Sequence, residues 1–126
     1  MKNLSRKKIL VIDDSETNLV LLKAVLEDAG YEVELAESAK KAHSLFDRVK
    51  PDLILLDLLM PNEDGFMFLS KMDNGSSGFL TPVIVVTAYA NEENKQKARG
   101  LGAKDIIEKP IDIPEFLLKI NNALNE

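Results

Sequence analysis

Residues 53–65 read LILLDLLMPNEDG, and this stretch decides the fold. Four aliphatic residues, Leu53 to Leu56, run without a break into Asp57, and Pro61 and Asp64-Gly65 punctuate the chain beyond it. A short continuous apolar run bounded by turn signals predicts a strand buried on both faces, as in a parallel sheet. Asp57 then falls at the carboxyl end of a strand, where open α/β sheets place their ligands.

Working outward, two more runs have the same character: Ile9–Ile12 before Asp13-Asp14-Ser15, and Val83–Val86 before Thr87-Ala88. Two others are half polar. Tyr31, Val33 and Leu35 alternate with Glu32 and Glu34, the period of a strand with one wet face, while Ile106-Ile107 sit in a short strand that ends at Glu108-Lys109-Pro110. Between the strands the apolar spacing becomes helical. Leu19, Leu22, Val25, Leu26 and Ala29 follow Ser15 and stop at Gly30; Ala42, Leu45, Phe46 and Val49 follow a Ser38 cap and stop at Pro51. Phe66, Met67 and Leu69 mark a third helix, with Met60 and Met67 expected to pack, and Asn74–Gly78 reads as a loop. A polar helix over about Asn91 to Arg99 closes at Gly100 and Gly102. Phe116, Leu117, Ile120 and Leu124 form the last, behind an Asp112-Ile113-Pro114-Glu115 capping box.

Five alternations of strand and helix predict a doubly wound α/β fold with a five-stranded parallel sheet. Buried runs in the middle and half-polar runs at the edges give the strand order 2-1-3-4-5, flavodoxin-like. Residues 1–6 read as a tail and 7–126 as one domain, a size that suits a single core.

That order gathers Asp13, Asp14, Asp57, Thr87 and Lys109 on one rim of the sheet. Each alone would be an ordinary helix cap or surface residue; together they imply chemistry. Three acids on strands about 5 Å apart repel, and one lysine does not balance them. A hard cation with oxygen ligands, Mg²⁺, completes the account. Cation, nucleophilic carboxylate, hydroxyl donor and ammonium are the equipment of phosphoryl transfer.

These segments resemble the response-regulator receiver domain of two-component signalling, over nearly all of residues 7–125. The resemblance rests on VIDDS, LILLDLLMPNEDG, VVTAYA and IEKPID in that order. It implies that Asp57 accepts a phosphoryl group from a phosphohistidine on a histidine kinase or histidine phosphotransfer protein. It further implies that Asp13, Asp14, Asp57 and the Leu59 backbone carbonyl hold Mg²⁺, and that Lys109 pairs with the acyl phosphate while Thr87 moves to bond it. Ala88, Tyr89, Ile106 and Pro110 would then belong to the switch, with a Lys109-Pro110 bond that is commonly cis in such domains. The helix near 91–99, the fifth strand and the last helix are the usual output face. The chain departs from the family at Ile106, where many receivers carry Tyr or Phe three residues before the lysine. An aliphatic side chain offers neither ring flip nor hydroxyl, and Tyr89 is the residue placed to carry part of the readout.

Composition narrows the alternatives. A formal net charge of −5 without a basic stripe disfavours direct nucleic-acid binding. There is no cysteine and one histidine, His43, which excludes disulfides, thiolate zinc sites and multi-histidine centres; His43 reads as a surface residue. The first apolar run is too short for a signal peptide and no later run would span a membrane, so a cytoplasmic protein is expected. It reads as a stand-alone phosphoacceptor signalling by protein contact, as a monomer or a phosphorylation-dependent dimer, and not as an enzyme on separate substrates. One variant is a receiver cut from a longer regulator or hybrid kinase. A haloacid-dehalogenase-like phosphatase would instead carry Asp-x-Asp after its first strand, where this chain has Asp13-Asp14-Ser15. A flavodoxin-type binder would prefer hydroxyls there to two acids. The switch assignment predicts that Tyr89 fluorescence is less accessible to a soluble quencher once a phosphate mimic is bound; equal quenching with and without the mimic removes Tyr89 from the switch.

Overall fold

The computed structural model describes residues 6–60, 63–73 and 81–125. Five strands, β1 (Lys8–Ile12), β2 (Glu32–Ala36), β3 (Leu53–Leu56), β4 (Val83–Thr87) and β5 (Asp105–Glu108), pair in parallel in the order β2-β1-β3-β4-β5. The half-polar strands lie at the two edges, as their alternation implied. Registers such as Ile12 opposite Leu56 and Leu56 opposite Val85 bring the carboxyl ends level. The helices are α1 (Glu16–Asp28), α2 (Ala39–Val49), α3 (Gly65–Asp73), α4 (Glu92–Gly100) and α5 (Ile113–Leu124). A two-residue ribbon, Leu59–Met60 paired antiparallel with Glu63–Asp64, bridges β3 and α3.

Successive strand residues point to opposite faces, so a sheet covered on both sides must be apolar at every position. The core divides on that rule. Ile9, Val11, Leu53, Leu55, Ile84, Val86 and Ile107 pack under α1 and α5 through Leu22, Leu26, Phe116 and Ile120. Leu10, Ile12, Ile54, Leu56, Val83, Val85 and Ile106 pack under α2, α3 and α4 through Leu45, Phe46, Phe68, Leu69 and Ala98. No helix among the described residues is long and apolar enough to cross a membrane.

Most helix ends follow the sequence signals. Ser15 and Ser38 accept from the Asn18 and Lys41 amides, and Asn91 caps α4 by accepting from Asn94. Other details differ. Asp112 makes no side-chain cap hydrogen bond, so the expected capping box does not form. Helix α2 ends on Lys50, which takes the left-handed conformation (φ 52°) with its N–H on the Phe46 carbonyl, because Pro51 disfavours a helical residue before it. At the end of α4 it is Gly102, not Gly100, that adopts positive φ (103°). Met67 is 58% exposed rather than packed, and Phe68 takes the buried position, since α3 turns its face toward residues 65, 66, 68 and 69. His43 is exposed, with its ring 4.9 Å from that of Phe68. The Asn74–Gly78 loop, residues 1–5 of the tail and the Met60 side chain lie outside the described residues.

Phe116 is fully buried under the sheet. Replacing it with Ala is expected to cost about 3–5 kcal/mol, read from urea unfolding, because it removes a large ring from a closed site. A loss below about 1 kcal/mol would mean that α5 does not pack as described.

Candidate functional site

Backbone pairing continues one residue past the strands and fixes the rim. The Asp13 N–H donates to the Ala36 carbonyl (3.1 Å), the Asp57 N–H to the Ile12 carbonyl (3.0 Å) and the Lys109 N–H to the Thr87 carbonyl (2.9 Å). Asp13, Asp57 and Lys109 therefore stand on consecutive ladder positions at the ends of β1, β3 and β5, and Thr87 is the last residue of β4. One carboxylate oxygen from each of Asp13, Asp14 and Asp57 lies within 4.8 Å of the others. Asp13 and Asp57 are buried, whereas Asp14 is exposed.

Lys109 Nζ lies 2.8 Å from Asp13 Oδ2 and 3.5 Å from Asp57 Oδ2. Asp13 Oδ1 accepts the Ser15 N–H at 2.9 Å, and the Asn18 side-chain amide approaches Oδ2 at 3.4 Å. Asp13 is thus oriented from three directions while Ser15 does the helix capping. Two carboxylates about 5 Å apart repel by about 3 kcal/mol at an effective dielectric near 20. One ammonium does not cancel three such charges. An all-oxygen donor set with residual negative charge suits a hard divalent cation and not a softer metal that wants nitrogen or sulfur.

Thr87 is fully buried, and its Oγ1 accepts the Tyr89 N–H at 3.2 Å. A hydroxyl that accepts in this way keeps its proton to donate. Leu59 lies two residues beyond Asp57, its backbone paired with Asp64 in the ribbon. Ala88 and Pro110 are exposed, and with Lys109 they line an apolar groove of about 440 Å³ beside α1, together with Asn18, Leu21 and Ile113. The Lys109–Pro110 peptide is cis. Of the residues named from sequence, Asp13, Asp14, Asp57 and Lys109 converge, with Thr87 on the strand between β3 and β5. Tyr89, 57% exposed, faces solvent, and Ile106 is buried under the α2–α4 layer.

Two supporting residues escaped the sequence reading. Asn18 was legible only as a helix position, since its approach to Asp13 depends on how α1 leaves β1. Gly65 was visible as a turn signal, but its role is a close approach. A Cβ there would lie 2.7 Å from the Asp57 carbonyl oxygen, 2.7 Å from Leu58 Cα and 2.8 Å from the Leu58 oxygen. Its N–H donates to that same Leu58 carbonyl at 3.0 Å. The start of α3 therefore rests directly on the segment that carries Asp57.

Comparison with known proteins gives the same picture. Residues 9–121 match the response regulator receiver domain family. The chain is 39% identical to an uncharacterized 14.6 kDa protein of Leptolyngbya boryana, over 93% of this chain and 89% of that one. It is 37% identical to Protein PilH of Pseudomonas aeruginosa, over 93% of this chain and 96% of PilH. Among solved structures, the Vibrio cholerae chemotaxis protein CheY4 superposes with a TM-score of 0.88 at 30% identity, covering 95% of this chain and all of CheY4.

The Gly65 contact has a test with an unusual sign. In an ordinary helix Gly→Ala stabilises by about 0.5–1 kcal/mol. Here Gly65→Ala is expected to destabilise by about 1–3 kcal/mol in urea unfolding, because backbone must shift to admit the methyl. A stabilised variant would show that α3 does not rest on Asp57 and Leu58.

Proposed function

The chain belongs to the response-regulator receiver domain family, and from that premise we propose that Asp57 is its phosphoacceptor, served by Lys109 and Thr87. As a receiver it is a phosphoacceptor signalling domain, not a conventional enzyme, and its phosphoryl group originates on a histidine kinase. The observation that carries the residue assignment is the placement of Lys109 Nζ against both Asp13 (2.8 Å) and Asp57 (3.5 Å) at the carboxyl rim.

An Asp57 oxygen attacks the phosphorus of a phosphohistidine; the new O–P bond forms as the P–N bond breaks, and the electron pair returns to the donor imidazole. Asp57 takes this role as the acid of the LILLDLLMPNEDG stretch that carries the family resemblance, with Lys109 beside it, while Asp13 is oriented by Lys109, Ser15 and Asn18. Asp13, Asp14, Asp57 and the Leu59 backbone carbonyl would hold Mg²⁺, which supplies positive charge to the phosphoryl oxygens. Lys109 already touches Asp57 and supplies a second positive charge at the same place. The Thr87 hydroxyl has a proton to give, and the added phosphate has three strong acceptor oxygens.

Phosphorylation adds roughly −1.5 to −2 charge. Carrying a two-state element from almost off to almost on takes about 5.5 kcal/mol of differential interaction. Charge-assisted hydrogen bonds at about 1.5–3 kcal/mol each make two or three new contacts sufficient. Thr87 and Lys109 are the groups placed to make them, and α4, β5 and α5 are the elements they would draw inward.

Asp57→Asn is expected to abolish hydroxylamine-sensitive labelling by acetyl phosphate in the presence of Mg²⁺, while leaving the fold intact by circular dichroism. Full labelling of the variant would place the acceptor elsewhere.

A further inference from the structure

Helix α4 is held to the body of the protein by little apolar surface: across Glu92–Gly100, Ala98 alone is buried. Two polar ties, three residues apart, add to it. The Asn94 side-chain amide donates to the Tyr89 carbonyl at 2.8 Å, and the Tyr89 N–H donates to Thr87 Oγ1 at 3.2 Å. Three residues on, the Lys97 ammonium sits 4.3 Å from the centre of the Phe66 ring. Phe66 follows Gly65, whose N–H donates to the carbonyl of Leu58, next to Asp57. Residues three apart on a helix are neighbours on its surface. One face of α4 thus touches both the segment that carries Thr87 and the segment that follows Asp57.

We infer that Asn94 and Lys97 are positioning residues through which α4 registers phosphorylation of Asp57, an inference that rests on the acceptor assignment above. When Thr87 turns its hydroxyl toward a phosphoryl oxygen, the Tyr89 amide bonded to that hydroxyl is displaced. The Tyr89 carbonyl belongs to the same short loop, and Asn94 ties it to the first turn of α4. Lys97, held over Phe66, anchors the next turn to the Asp57 side, so displacement at Asn94 rotates the helix instead of carrying it bodily. Few buried apolar contacts keep the cost of that rotation low. Ile106, packed in the core, has no polar atom on its side chain to serve as a relay, so the path through Asn94 and Lys97 takes its place.

A contiguous path is only a candidate until coupling along it is measured. The measurement is the ¹⁵N amide spectrum of the full chain with Mg²⁺, before and after beryllium fluoride, a phosphoryl mimic. Asn94→Asp keeps the shape, favours the first turn of a helix and cannot donate; Lys97→Met keeps the length and loses the cation. In the double variant the shifts at residues 92–100 are expected to fall by about twofold or more, with mimic affinity within about threefold of wild type and shifts near Asp57 and Thr87 retained. Lys97→Arg, which still places a cation over the ring, should respond as wild type. If the double variant is unfolded, each single variant carries the test, with a reduced α4 response expected. A full α4 response in the variants overturns the inference and leaves the acceptor assignment standing. Absence of any response near Asp57 in the wild type overturns both.

Discussion

Asp13 and Asp57 are buried acids, and the Lys109 ammonium reaches both from the far side of the sheet. In the observed strand order β5 stands three strands from β1, about 14 Å at the usual spacing. That span is closed by the long lysine stem on one side and two acid side chains on the other. A buried carboxylate left without such a partner costs several kcal/mol. The strand order and the level carboxyl ends therefore serve the electrostatics as much as the hydrophobic core. The excess negative charge of Asp13, Asp14 and Asp57 is consistent with the metal site of a receiver domain.

The two faces of the sheet divide the work. Under α1 and α5 the packing is apolar and deep, with Leu26, Phe116 and Ile120 fully buried. The same helix α1 supplies Ser15 at its cap and Asn18 in its first turn, which hold Asp13 in place. On the opposite face α2 and α3 also bury large side chains, but α4 contributes one alanine. Apolar burial is thus deep under α1 and α5, beside the acid pocket, and slight along α4, the helix that follows the Thr87 loop. The movement proposed for α4 is compatible with its small share of the core.

Much of this was legible before any coordinates. Strands covered on both faces announce themselves as unbroken aliphatic runs, and β2 and β5 revealed their edge positions by their glutamates and brevity. The five rim residues could be gathered because strand ends are also where a short apolar run meets a polar one. What stayed hidden depends on contacts between segments remote in sequence or on helix phase. Met67 was expected to pack, but the buried face of α3 runs through Phe66, Phe68 and Leu69 and leaves Met67 58% exposed. Lys50 takes a left-handed conformation with no glycine to signal it. The Asp112 box had the right letters, yet its side chain makes no cap hydrogen bond, which spacing alone does not reveal. Gly65 read as a turn former, and only the proximity of Asp57 and Leu58 makes it a steric requirement.

The substitution at Ile106 bears on how such a domain can signal at all. A buried aromatic switch works by exchanging one cavity for another, and its polar edge marks the difference between states. Isoleucine has neither option, and at 7% exposure it is part of the packing that joins β5 to the α2–α4 layer. Movement of that side chain would open a void, which close-packed interiors resist. The path proposed above instead uses groups that can exchange partners without leaving a hole: hydroxyls, amides and surface cations. Around this rim those groups are Thr87, the Tyr89 backbone and Asn94, joined in that order by hydrogen bonds, with Lys97 one turn on against the Phe66 ring. A core that is fixed on this side and a polar chain that is free to re-pair beside it are two consequences of the same residue choice.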